Sequence, residues 1–130
     1  MAGILLYVIT SPDRTVSEQR FHDWYDRKRL PAMLAIPGVS SALRYKAKGE
    51  NKWLACYDLD SEEVLRSREY NALQGRASEN ERELMPKINM EHRVYKMIYT
   101  LGNPPTTSPK TLLAVEMTPY PTHEKEFHHW

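Results

Sequence analysis

The chain has 130 residues, 41% of them hydrophobic and 27% charged, which is one ordinary domain with a composition near the globular average and leaves no room for two full-sized cores. Eighteen Lys and Arg against seventeen Asp and Glu give a formal charge of +1, too little for the broad positive field that phosphate backbones require, so no nucleic acid is expected as a partner. The only cysteine, Cys56, has no second thiol to bridge to, and a small domain without disulfides is expected in a reducing compartment, the cytoplasm by default.

Residues 3–9 form an apolar run that lacks a basic segment before it and a small-residue cleavage pattern after it. It is read as a strand rather than a secretory leader, and it is far short of the roughly 20 residues of a bilayer span, so no membrane partner is expected. Over 5–10 the run is β-branched and apolar on both faces, which predicts a strand covered on both sides and stopped at Ser11, Pro12 and Asp13. Helical spacing begins at Thr15. Either Thr15 or Ser17 suits the N-cap, and Phe21, Trp24 and Tyr25 make an apolar stripe on a helix predicted to run towards Arg29. Pro31 is expected to end or kink that helix near Leu30, with Met33, Leu34 and Ile36 adding a last turn before Pro37 and Gly38.

A second strand is predicted over Val39–Lys46 and a third over Trp53–Leu59, joined through the turn at 48–51 as a hairpin. Asp60 or Ser61 caps a second helix over 62–68, and a polar stretch with Tyr70 and Leu73 follows up to Pro86. The β-rich run 93–101, with Val94, Tyr95, Met97, Ile98 and Tyr99, predicts the closing strand. The order through residue 101 is βαββαβ, an α+β domain over 1–101, followed by a Pro-rich linker at 102–110. A four-stranded sheet with apolar residues on both faces must cover its second face, so a homodimer is expected.

Residues 111–130 repeat the start of the chain. Leu5, Leu6, Val8 and Pro12 match Leu112, Leu113, Val115 and Pro119 at an offset of 107, and Glu18, Phe21, His22 and Trp24 match Glu124, Phe127, His128 and Trp130 at 106. The ordered identities read as the strand and helix start of a second, truncated repeat of one βαββαβ unit. Such a stub is expected to pair with a sheet edge or to fray.

On a regular helix His22, Tyr25 or Asp26, and Arg29 share a side, since 22 and 29 are two turns apart. An imidazole with a pKa near 6.5 moves protons in either direction, and a guanidinium holds an anionic or enolic oxygen. The competing reading makes Asp23, Asp26, Arg27 and Arg29 ordinary surface pairs and Trp24 a core residue. Tyr7, Arg44, Tyr57, His92, Tyr95 and Tyr99 are strand residues with polar tips, suited to lining a cleft or to packing a barrel. The five histidines lack metal-ligand spacing and no nucleotide-binding or nucleophile-elbow motif is present, so neither a metal nor a cofactor is expected.

A strand, a helix carrying Phe21, Trp24, Tyr25 and Asp26, then Leu30-Pro31, Ile36-Pro37-Gly38 and a strand ending in Arg44-Tyr45 together resemble an EthD-like domain of the dimeric α/β-barrel superfamily. The likeness spans about 4–101 and begins again at 112. It implies a ferredoxin-like unit, an antiparallel four-stranded sheet with helices on one face, that dimerises into a barrel with a ligand cleft between sheet and helices. The superfamily holds cofactor-free oxygenases, decarboxylases, cyclases and isomerases acting on aromatic or polyketide-like molecules, which implies a cofactor-independent small-molecule enzyme. Where the family carries Glu, Glu and His before Leu-Pro, this chain has Arg27, Lys28 and Arg29. Arg29, at the His position, stays protonated and is no general base. Proton transfer then falls to His22 or another cleft residue, or the site only binds an anion. The resulting candidates are His22, Arg29 and Tyr25 for catalysis and Trp24, Tyr7, Arg44, Tyr57, His92 and Tyr95 for substrate, in decarboxylation, cyclisation or rearrangement through an enolate. The alternative is a non-catalytic binding domain.

Overall fold

The computed structural model describes residues 3–75, 77–102 and 111–120. Strand β1 (Ile4–Pro12) leads to helix α1 (Glu18–Trp24), which continues through a π-helical turn (Tyr25–Arg29) into α2 (Leu30–Leu34). The hairpin β2 (Val39–Lys46) and β3 (Trp53–Leu59) follows, then a 3-10 turn (Glu62–Arg66), α3 (Arg68–Gly75), α4 (Glu79–Leu84), a short 3-10 turn (Met85–Lys87) and β4 (Ile88–Lys96). The four strands lie in the order β2-β3-β1-β4, every pair antiparallel. With the helices on one face, this is the α+β, ferredoxin-like arrangement.

Register decides which residues meet the helices. Leu6 lies opposite Tyr57 and Val8 opposite Ala55 and His92, so these positions share a face. Against it Phe21, Trp24, Tyr25, Met33 and Ile36 close the core. Ser17 starts α1 by accepting the Arg20 N–H at 3.1 Å, and Ser78 with Glu81 forms a reciprocal capping box on α4. Gly38 turns the chain into β2 at φ +96°, where an added Cβ would lie 2.5 Å from Val64 Cγ2, so both backbone and space demand glycine.

Four expectations are corrected. The helix does not end at Pro31: the irregularity expected near Leu30 is a π-helical turn in which the Leu30 N–H bonds back to the Tyr25 carbonyl, and this widened turn relieves the carbonyl that the proline ring would otherwise press. The helix expected over 62–68 is a 3-10 turn, and the polar stretch after it holds both α3 and α4. The closing strand begins at Ile88 and ends at Lys96, which pairs with Ile4, and the Gly3 carbonyl takes the Met97 N–H as the last bond among the described residues. Residues 111–120 hold no regular strand and do not add to a sheet edge. They lie over the helix-free face, where Leu112 and Ala114 neighbour Tyr7, Tyr45 and Leu54, and Glu116 pairs with Arg93. The linker from 103 on and the helix start of the repeat, within 121–130, fall outside the described residues. Among the described residues no helix is long and apolar enough to cross a membrane.

Candidate functional site

The helix 18–34 crosses the sheet, and its π-helical turn divides the side chains that a regular helix would align. His22 and Asp26 turn to β2. There Arg44 Nη1–H donates to Asp26 Oδ1 at 2.7 Å and lies 3.1 Å from His22 Nδ1. A guanidinium only donates, so Nδ1 accepts in the neutral ring, and Nε2 carries its proton 3.5 Å from Glu18 Oε1. The His22 ring meets Trp53 edge to face at 4.5 Å. Arg44 stacks its guanidinium carbon 4.4 Å from the Tyr25 ring centre and 5.2 Å from that of Phe21, leaving its side chain 11% exposed. This is a packed, interlocked cluster. Asp26 is committed to Arg44, while Asp23 reaches Arg27 at 3.9 Å as a surface pair.

Tyr25 and Tyr57 lie beneath the helix, both fully buried. Burial pushes each phenol up from its ordinary value; Tyr57 is raised further by the Tyr25 phenol, and Arg29 and Arg44 pull both back. The Tyr57 hydroxyl has no well-formed hydrogen bond among the described residues.

Arg29 points away from His22, towards β4. With His92 it lines a cavity of about 140 Å³ whose other walls include Tyr70, Leu73, Met85 and Met90. His92 reaches the cavity because it pairs with Val8 on the helix face of the sheet. Its pKa is lowered from 6.5, first by partial burial of the ring in an otherwise exposed residue and then by the Arg29 charge, and both favour the neutral imidazole at pH 7. Arg29 makes no hydrogen bond or ion pair among the described residues. A free, permanent cation thus faces a neutral base across a small, partly apolar space, an arrangement able to hold an anionic oxygen and move a proton beside it.

Three candidates lie elsewhere. Trp24 faces α4, where its indole N–H donates to Glu81 Oε2 at 3.2 Å. Tyr7 and Tyr95 pack edge to face at 5.7 Å on the opposite face of the sheet. The cavity walls from α3 and from Met85 and Met90 were not among the sequence candidates. Met90 alternates in phase with His92 on β4, a signal visible once the strand is started at Ile88.

No family model and no curated protein matches the chain. Solved structures do. SnoaB, a cofactor-independent oxygenase from Streptomyces nogalater, aligns with a TM-score of 0.58 at 12% identity over 78% of this chain and 100% of its own. A protein of unknown function from Bacteroides thetaiotaomicron, described as a possible oxidoreductase, aligns at 0.53 and 12% over 74% of this chain and 98% of its own. An ethyl tert-butyl ether degradation (EthD) family protein from Bacillus halodurans aligns at 0.50 and 15%, over 72% and 99%. At these identities the shared property is the fold.

Proposed function

We propose that the chain is an EthD-like domain that works as a homodimeric, cofactor-independent enzyme on a hydrophobic aromatic or polyketide-like molecule, by decarboxylation, cyclisation or rearrangement through an enolate. The observation that carries this reading is Arg29, without a hydrogen bond or ion pair among the described residues, facing His92 across one cavity. Arg29 holds the carboxylate or enolate oxygen through charge-assisted hydrogen bonds. In cyclisation or rearrangement His92 takes a proton from the adjacent carbon and returns it. In decarboxylation, where carbon dioxide leaves and no proton is taken, it relays one from solvent water to the enolate carbon, the part the sequence offers first to His22. The reacting end enters the cavity beside Leu73, Met85 and Met90, and the apolar remainder of the substrate stays outside it. SnoaB, which shares the fold, is a cofactor-independent oxygenase, in keeping with chemistry run by side chains.

The test is turnover of an aromatic β-keto acid by parent, Arg29→Ala, His92→Ala and His22→Ala proteins. Arg29→Ala and His92→Ala are expected to lose about 10²- to 10³-fold in kcat/KM, His22→Ala far less. If the first two turn over like the parent, the site lies elsewhere. A second reading, a binding domain without turnover, is favoured by Arg29 itself, a permanent cation that binds anions but is no general base, at the position where the resembled family carries His. Saturable binding of aromatic acids with no product would select it.

A further inference from the structure

The helix-free face of the sheet carries Leu5, Tyr7, Ile9, Leu43, Leu54 and Tyr95 in alternating register. An apolar sheet face of this kind needs a cover, and the homodimer of the proposed function would supply one as the matching face of a second copy. In the structure the cover is residues 111–120.

The fit of that cover is loose. Open pockets of about 310 and 550 Å³ lie between it and the sheet, the first lined by Leu112, Ala114 and Tyr45, the second by Val115, Met117 and Tyr95. No strand ladder ties it to the sheet. Leu113 is 86% exposed and Val115 67%, so much of the segment's apolar surface is gained from no contact. Glu116 pairs with Arg93, which is shared with Glu91.

We propose that residues 111–120 form a strap that gates homodimerisation by occupying the surface a second copy of this chain would use. The inference rests on the homodimer reading, and its logic is exclusion: Tyr7, Tyr45 and Tyr95 cannot lie against the strap and against a second sheet at once. The strap is held weakly enough to lift. A second sheet face offers broad apolar burial that the strap, with nine of its ten residues exposed, does not provide.

Sedimentation velocity over the micromolar range on three full-length proteins tests this: the parent, Glu116→Arg, and the charge-exchanged Arg93→Glu/Glu116→Arg. Position 116 is exposed, so the fold is not at risk. An exposed ion pair contributes a factor of about two to five, and two straps open per dimer, so Glu116→Arg is expected to dimerise about tenfold more tightly than the parent. The exchanged pair is expected to return to the parent value. Glu116→Arg dimerising as the parent does, or more weakly, overturns the strap while leaving the homodimer intact. Monomers throughout for all three overturn the homodimer reading and the gate with it.

Discussion

Arg29 and His92 act together because their protonation differs. The guanidinium keeps its charge at every accessible pH, whereas His92 titrates below its ordinary 6.5, mainly through burial and secondarily through Arg29. Its activity as a base is therefore expected to fall on the acid side as pH drops through the folded-state pKa, below 6.5. In Arg29→Ala the His92 pKa, followed by NMR, is expected to move back towards 6.5 without reaching it, because the larger cause remains. Stability follows the same sign. The unfolded ring binds its proton more readily, so the contribution of His92 is fully present above about pH 6.5 and is lost as pH falls through the folded value. A parent His92 titrating at or above 6.5 would contradict this electrostatic account. Tyr57 gives a separate test: with its buried hydroxyl lacking a well-formed bond, Tyr57→Phe is expected to leave the unfolding free energy unchanged or raise it by up to about 1 kcal/mol. A loss above about 2 kcal/mol would show that the contact with Tyr25 is a full hydrogen bond.

At the scale of elements, what the sequence could tell depended on whether local or distant residues decide. The β2–β3 hairpin was legible because alternation and the turn at Gly49 are local. The end of β4 was not: residues 97–101 are as β-prone as those before them, and what decides is the pairing with β1 at the far end of the chain, whose described ladder runs from Ile4 opposite Lys96 to Pro12 opposite Ile88. The π-helical turn was hidden for a similar reason, since Phe21, Trp24 and Tyr25 fit a regular helix equally well. Its cost fell on the site. An unbroken helix puts His22 beside Arg29, whereas the wider turn sends His22 to Arg44 and Arg29 to His92, a pairing across the fold that no local pattern announces. His92 itself was readable as a candidate, and Arg29 through its place before the helix's Pro31. Glycines give the element-level prediction. Gly38→Ala is expected to lose about 2 kcal/mol or more by denaturant unfolding, from a left-handed backbone and the approach to Val64. Gly49→Ala, at φ +79° with nothing near its Cβ, is expected to lose only the backbone share, about 1 kcal/mol. Equal losses would mean that the Gly38 contact with Val64 does not matter.

For the whole molecule, the two faces of the sheet have separate duties. One builds the core and, at the β4 end, the Arg29–His92 cavity; the other lies under residues 111–120 and is the surface proposed for a second copy. Interchange on the second face is expected to leave the cavity's chemistry intact, so Glu116→Arg should change the dimer constant without moving the His92 pKa. The claim on which the account most depends is that the cavity receives an anion. Titration of benzoate into the full chain, followed by the His92 ring resonances, tests it directly. The expected result is saturable shifts at His92 with a raised His92 pKa, as the bound carboxylate offsets the Arg29 charge, and loss of both effects in Arg29→Ala. Saturation that leaves His92 unmoved, or that persists unchanged in Arg29→Ala, would contradict it.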